Sequence, residues 1–374
     1  MLNKDVSVDG NNNLVVNDTK GSTINIGMTY TEVSDLCQKL IALEVGRLTK
    51  EAADDFRRQL EAFEKKFYEK LAAMESKENI ERLRKPGMQL CLYETILSSM
   101  KTDDEQTKEQ LQEMLIERLN VDENTTDRAI IEDSIEKASK ISKPLMALMV
   151  ALQFRSYTMG PLKQALDYSF TQMGELFASL DELTYLDIAY GTQLQCLTNN
   201  AIFTPGATYE DILLANYDLY FRHAIRYGDY KVFRDAHPEI QHEVQLNNIK
   251  GFAMICIDGS KPGVEEDDQE VTIMAASSAT VRNKLKKQGK EYMLPAFELL
   301  LQQMPVFTKE EMKDYLVGLN PGWASLFRVL DKFKVNNIQL SPVGNYLSLV
   351  YAKRITRLPD DFLRQLYGSV ITAS

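Results

Sequence analysis

Histidine is scarce in this chain: only His223, His237 and His242 occur in 374 residues. The last two stand in His-Pro-Glu-Ile-Gln-His-Glu. Their spacing, with an internal proline, fits neither the i,i+3 or i,i+4 pair that one helix offers a metal nor a His-Glu-x-x-His signature. Only a loop would gather them with Glu239 or Glu243. Cysteine is equally sparse, with Cys37, Cys91, Cys196 and Cys256 far apart and no Cys-x-x-Cys. That argues against a disulfide framework and a cysteine zinc site, and reads as buried thiols in a reducing cytoplasm. Glycine-rich phosphate loops are missing, both Gly-x-x-x-x-Gly-Lys-Ser/Thr and Gly-x-Gly-x-x-Gly, and so is a Gly-x-Ser-x-Gly nucleophile elbow. No metal and no cofactor is expected.

Long apolar runs are absent too. The longest, Leu145 to Leu152, has eight residues, whereas a spanning helix needs about 20. It reads as a buried helix. The first residues, Met1-Leu2-Asn3-Lys4-Asp5, lack the apolar stretch of a signal peptide. The expectation is a cytoplasmic protein with no membrane partner. Positive charge is the scarcer sign: 43 Lys and Arg against 54 Asp and Glu leave a net charge of −11. Such a balance opposes general nucleic-acid binding, which needs cations to displace counterions from phosphate.

What is present is an ordinary globular composition, 44% hydrophobic and 26% charged. The length allows two or three domains. The opening residues carry the most distinctive pattern. Val6 and Val8, Leu14 and Val16, and Ile24 and Ile26 alternate with polar residues, and Asn, Asp and Gly separate the pairs. This predicts three short half-buried strands. A small isolated sheet is marginal in water. These six residues are therefore the candidate assembly interface, toward the same chain, a second copy or a partner.

Helices follow. Thr29 or Thr31 caps the first, with Glu32 in its first turn and Val33, Leu36, Cys37, Leu40 and Ile41 on one face. Thr49 opens the second, whose Phe56, Leu60, Phe63, Phe67, Leu71 and Met74 form a near-heptad seam. That seam serves packing within the chain or between subunits. Asp54 with Arg58, and Glu61 with Lys65, are spaced as i,i+4 pairs. Further helices are predicted at about 88–100, 104–120, 125–141, 144–157, 161–178 and 181–198. Leu111, Leu115 and Leu119 make one stripe, and Ile131, Ile135 and Ala138 another.

Residues 208–235 read as helices dense in aromatics, including Tyr209, Tyr217, Tyr220, Phe221, Tyr227, Tyr230 and Phe233. They suit an amphipathic helix pair with hydroxyls at the surface, or a stacking or small-molecule face. Residues 252–257 and 271–275 predict a hairpin, its loop holding Asp258-Gly259 and an acidic run. The Asp-Gly pair is a turn former, and no lysine follows where a nuclease-like site would need one. The basic run Arg282, Lys284, Lys286, Lys287 and Lys290 comes next. The first four are candidate nucleic-acid contacts. Helices are predicted at about 292–303, 309–318, 322–333, 343–354 and 360–367. Ile338 and Leu340 alternate as a short strand, and Ser341-Pro342 opens the helix bearing Val343, Leu347, Val350 and Tyr351. With Trp323, Phe327 and Leu330 before it, this unit resembles a winged-helix-like module.

Three segments carry a family resemblance. Gly10-Asn-Asn-Asn-Leu-Val-Val with Ser22-Thr-Ile-Asn-Ile-Gly-Met-Thr-Tyr-Thr-Glu-Val33 resembles an uncharacterised family of bacterial helical proteins with an Asn/Gly-rich strand segment. The stretch from Arg128 to Leu145 is similar to that family's helical core. Ile338-Gln-Leu-Ser-Pro-Val-Gly-Asn-Tyr-Leu347 is similar to its ending and to that of some abortive-infection-type proteins. The resemblance implies a bacterial cytosolic protein associated with phage defence, and it transfers no catalytic residue.

The expected fold is mainly α: a multi-helical body with a short N-terminal β segment, a small β insertion and a winged-helix-like C-terminal module. The expected divisions are 1–28 for the strand segment, 29–200 for the helical body, 201–305 for helices with the insertion, and 306–374 for the C-terminal module. The expected function is an oligomeric, non-enzymatic sensor, scaffold or effector. The alternatives are an enzyme with an unrecognised site around His237, His242 and Asp258, or a DNA-binding regulator using the C-terminal module and the basic run.

Overall fold

A computed structural model describes residues 6–8, 14–16, 28–74, 80–122, 125–154, 163–199, 207–241, 255–257, 266–268, 270–273, 275–333, 338–358 and 363. The fold is mainly helical with small sheets. Two compact units divide the chain. The first holds residues 1–141, 342–350 and 370–374; the second holds 142–341 and 351–369.

In the first unit, β1 (Val6–Val8) pairs antiparallel with β2 (Leu14–Val16), Ser7 opposite Val15. The predicted third strand, with Ile24 and Ile26, lies outside the described residues. Helix α1 (Tyr30–Val45) starts at Thr29, whose hydroxyl accepts from the Glu32 N–H while the Glu32 carboxylate accepts from the Thr29 N–H. This capping box satisfies two of the donors that a helix start leaves unpaired. Val33, Cys37 and Ile41 are buried; Leu36 and Leu40 are only half-buried.

Helix α2 (Lys50–Ala72) starts at Thr49. Leu60, Phe63, Phe67 and Leu71 of its seam are buried inside the chain. Its ion pairs are Asp54 with Arg57 and Asp55 with Arg58, at i,i+3 rather than the expected i,i+4. Both spacings place side chains on one face, so local rotamers decide between them. Helices α3 (Pro86–Met100), α4 (Glu105–Asn120) and α5 (Thr126–Ala138) follow among the described residues. The leucine and isoleucine stripes of α4 and α5 are buried. Arg118, fully buried, is bound by Glu132 at 2.8 Å.

The second unit begins with α6 (Lys143–Phe154), buried from Pro144 to Leu152 as its apolar run requires. Helix α7 (Lys163–Phe177) follows, then a 3-10 turn at Ala178–Glu182, α8 (Tyr185–Gln193) and β3 (Leu197–Asn199). The predicted 181–198 helix is therefore shorter, and its end is a strand. The predicted 208–235 region is also broken. It forms α9 (Tyr209–Asn216), an irregular turn, β4 (Ile225–Arg226) and α10 (Tyr227–Ala236), with a single helical turn at Pro238–Gln241. Tertiary hydrogen bonds hold the break: Leu219 N–H and Tyr220 N–H donate to Ala276 O, and Phe307 N–H donates to Phe221 O.

The insertion hairpin is present as β5 (Ile255–Ile257) and β6 (Glu270–Ile273), with β4 adding a third strand in the order β4-β6-β5. Helices α11 (Ser278–Lys287), α12 (Leu294–Gln303), α13 (Lys309–Leu319) and α14 (Gly322–Phe333) follow. Strand β7 (Ile338–Leu340) pairs with β3, Thr198 opposite Gln339. Helix α15 (Pro342–Ile355) belongs to the first unit up to Val350, and its Val343, Leu347, Val350 and Tyr351 are buried. The predicted 360–367 helix lies outside the described residues save Leu363.

Among the described residues of the second unit, two apolar clusters stand out. One packs Phe154, Phe170, Tyr217, Tyr220, Phe221 and Trp323 ring to ring, with Trp323 Nε1–H donating to Phe170 O at 2.8 Å. The other gathers Tyr227, Tyr230, Phe233, Val271, Ile273, Leu285 and Phe297. The α7–α14 crossing is set by glycines. A Cβ on Gly322 would stand 1.9 Å from Gly174 O, so only glycine fits there.

Candidate functional site

Helix α8 is the element of the second unit that is firmly anchored yet presents its apolar side outward. Its start is a second capping box. Thr184 Oγ1 accepts from the Asp187 N–H, and Asp187 Oδ2 accepts from Thr184 N–H at 2.9 Å and from its hydroxyl at 2.6 Å. Ser142 Oγ–H donates to Asp187 Oδ1 at 2.7 Å. Burial pushes the Asp187 carboxyl up, but these donors outweigh it and hold it below the usual value.

The far end of α8 closes as a Schellman motif. Cys196 N–H donates to Gly191 O and Gln195 N–H to Thr192 O, each at 2.9 Å. Gln195 takes the left-handed conformation this closure needs, with φ of 59°. The inner face rests on Gly191, where a Cβ would meet Leu145 at 3.0 Å and Leu197 at 3.1 Å. Tyr185 leans edge-on against Phe333, centroids 4.7 Å apart.

Apolar side chains remain in water. Leu186 is 79% exposed, Tyr185 66% and Tyr190 39%. Leu186 and Tyr190 stand four residues apart and share a face. Charges of both signs border the helix: Arg328 binds Asp181 at 2.6 Å, and Lys332 lies over the Phe333 ring. Clustered exposed apolar side chains with a polar rim are the physical mark of a docking surface. The sequence signal for it was the Thr184-x-x-Asp187 box followed by a helix whose polar face is nearly missing.

A partly buried polar cluster lies elsewhere in the unit. The Tyr220 hydroxyl donates a short hydrogen bond to Asp167 Oδ1, and the Tyr315 hydroxyl donates to the same oxygen at 2.8 Å. Burial raises both phenols, with Tyr315 at about 12 and Tyr220 further still; the Asp167 carboxylate adds to both rises. Both protons are held in place, so this triad suits stiffening of an aromatic core rather than proton transfer. Nor are the Cys37 and Cys91 thiols primed. Burial pushes Cys37 and Cys91 each up to about 12, which removes thiolate character at neutral pH. Among the described residues, no group of three or more His, Cys, Asp or Glu converges as a metal set.

The residues singled out in the sequence are scattered. Val6, Val8, Leu14 and Val16 belong to the β1–β2 pair. His242 and Asp258 lie outside the described residues. His237 stacks on Phe233 and meets Glu239 at 3.1 Å, while His223 meets Glu311 at 3.2 Å. The tyrosines Tyr209, Tyr217, Tyr220, Tyr227 and Tyr230 are buried, so their hydroxyls are not a surface row. Tyr209 donates to Ala151 O instead. Of the basic run, Arg282 is spanned by both oxygens of Glu298, at 2.7 and 3.1 Å. Lys284, Lys286 and Lys287 are exposed in the last turn of α11, where the helix dipole favours cations. No described helix is long and apolar enough to cross a membrane.

A protein-family model matches residues 27–362 under the description ":-like", a label that names no activity. The match begins after the strand segment. No curated protein and no solved structure matches the chain.

Proposed function

The chain belongs to the family whose model spans residues 27–362, and we propose that it is a self-assembling binding protein, an oligomeric scaffold or sensor rather than an enzyme. One observation carries this reading: the exposed apolar side of α8, with Tyr185, Leu186 and Tyr190 on a helix fixed at both ends. A rigid surface loses little conformational freedom on association, so its apolar area converts into affinity with small ordering cost. The occupant proposed is a second copy of the chain. Asp181 and Arg328 pair within the chain and Lys332 lies over the Phe333 ring, so the border of this helix presents both signs to a second copy.

A nine-residue helix is small for a stable interface, which buries roughly 1,200–2,000 Å² in total. The strand segment with Val6, Val8, Leu14, Val16, Ile24 and Ile26 is proposed to add to it. The likeness of the C-terminal tail to abortive-infection-type proteins supports placing the assembly in bacterial phage defence, with a phage or host protein as the second partner. The winged-helix-like reading of that tail belongs to the same proposal, as the part that passes on the signal.

The test is solution mass by light scattering. The full chain is expected to form a defined oligomer. Leu186→Asp with Tyr190→Asp should shift it toward monomer while circular dichroism stays helical. A monomer at all accessible concentrations, or an oligomer indifferent to both substitutions, overturns the reading. A chain beginning at Thr29 then measures the share of the strands.

A further inference from the structure

Positive charge, the scarcer sign in the chain, gathers at the end of α11. Residues 278–303 hold five cations, Arg282, Lys284, Lys286, Lys287 and Lys290, against two carboxylates, Glu291 and Glu298. Arg282 and Glu298 neutralise each other. Lys284, Lys286 and Lys287 are exposed, and among the described residues none of the three has an ion-pair partner. The negative end of a helix offsets only about half a charge, so the fold accounts for a small part of this cluster.

Beside the lysines a tyrosine is held in water. The chain turns sharply after α11. Gly289 takes φ of 69°, its N–H donates to Lys286 O at 3.1 Å, and the Lys290 N–H donates to Leu285 O at 2.9 Å. This sets the Lys290 backbone against the last turn of α11, two residues before Tyr292. Leu285 before the turn and Met293 after it are both fully buried, in one apolar cluster. Tyr292, in the 3-10 turn Glu291–Met293 between them, is 64% exposed. Its backbone is fixed by these neighbours, so ordering its ring against a ligand restricts just two side-chain torsions.

We infer that the α11–α12 turn binds single-stranded nucleic acid, with Lys284, Lys286 and Lys287 on phosphates and Tyr292 stacked on a base. Cations that follow a backbone, beside an aromatic platform for bases, are what such binding needs. In a duplex the base faces are already stacked on each other, so the exposed ring favours a single strand. A membrane surface fits less well, because an interfacial element buries a broad apolar face. Among the described residues of 278–303, the exposed large apolar side chains are Tyr292 and Leu299. The net charge of −11 does not forbid the contact, since charges beyond about 8 Å are largely screened at physiological salt. The inference is separate from self-assembly, because Leu186 and Tyr190 lie on α8, and either can fail alone.

Fluorescence anisotropy of a labelled twelve-residue oligothymidylate, titrated with the full chain, tests it. Binding is expected in about 0.05 M salt, and three phosphate contacts give a slope of log K against log salt of roughly −2. The triple variant Lys284→Gln, Lys286→Gln, Lys287→Gln should lose about tenfold or more in affinity and most of that slope. Tyr292→Ala should weaken binding about tenfold and leave the slope unchanged, while Tyr292→Phe retains affinity because stacking needs the ring alone. All these residues are exposed, and circular dichroism should show every variant as helical as the parent. No binding at 0.1 M salt or below overturns the inference, as does binding that the triple variant retains. Binding indifferent to Tyr292→Ala, or equally tight to a duplex of the same length, also overturns it by reducing the surface to charge alone. Cosedimentation with phosphatidylserine vesicles in place of oligonucleotide binding assigns the lysines to a membrane and overturns it too.

Discussion

Glu64 illustrates how one residue sets a pH dependence. It lies on α2 with 1% of its surface exposed, and among the described residues Ser34 donates to its Oε2 at 2.8 Å. Its Oε1 has no partner. Burial raises the carboxyl above its ordinary 4.5, and Glu61 and Asp35 raise it further against the opposing Ser34 bond. The folded protein therefore holds this proton more tightly than the unfolded chain does. Its contribution to stability is full below the ordinary value of 4.5 and is lost as pH climbs through the elevated folded value. Glu64→Gln should thus stabilise the protein at neutral pH by about 1 kcal/mol. Below about pH 4 the gain should vanish, because both states of the parent are then protonated. Urea melts of the two proteins at acid and neutral pH check this. A gain that is constant across pH would mean that the carboxylate is solvated after all.

At the scale of elements, the C-terminal end of α8 carries its own test. Gln195 is an exposed, non-glycine residue with φ of 59°. A side chain in that conformation costs about 1 kcal/mol, which glycine avoids. Gln195→Gly should raise the free energy of unfolding, and with it the denaturation midpoint, by about 0.5 kcal/mol, the entropy of the unfolded chain taking back part of the relief. Gln195→Val should lower it. The same helix shows what a sequence can and cannot reveal. The starts at Thr29 and Thr49, the leucine stripe of α4 and the apolar run of α6 were legible, because caps and a 3.6-residue period are local signals. The β5–β6 hairpin was legible for the same reason. Strand β3 was not: its three residues have meaning only against β7, some 140 residues later. Likewise the turn between α9 and α10 is held by Ala276 and Phe307, which no local window contains. The α8 surface itself was hidden, since an apolar helix residue is ordinarily a core residue, and its exposure is a property of packing.

At the scale of the whole molecule, the charge of −11 per chain opposes the association proposed for the apolar α8 surface. Two copies brought together repel across their full surfaces, and this repulsion fades as salt shortens the Debye length from about 10 Å at 0.1 M to 3 Å at 1 M. Apolar contact between Leu186 and Tyr190 of facing copies does not fade in the same way. Association through α8 should therefore tighten severalfold as salt rises from about 0.05 M to 0.5 M. Sedimentation equilibrium at the two ionic strengths measures this. The opposite slope has a specific meaning. If association weakens steeply with salt, ion pairs such as those offered by Asp181, Arg328 and Lys332 carry it, and the apolar side of α8 is incidental. A steep loss accompanied by nucleic-acid absorbance would instead implicate Lys284, Lys286 and Lys287, since release of counterions from phosphate is what makes binding fall with salt. The sign of a single salt dependence thus separates three surfaces of one acidic molecule, and the exposed apolar side chains of Leu186 and Tyr190 predict which sign is found.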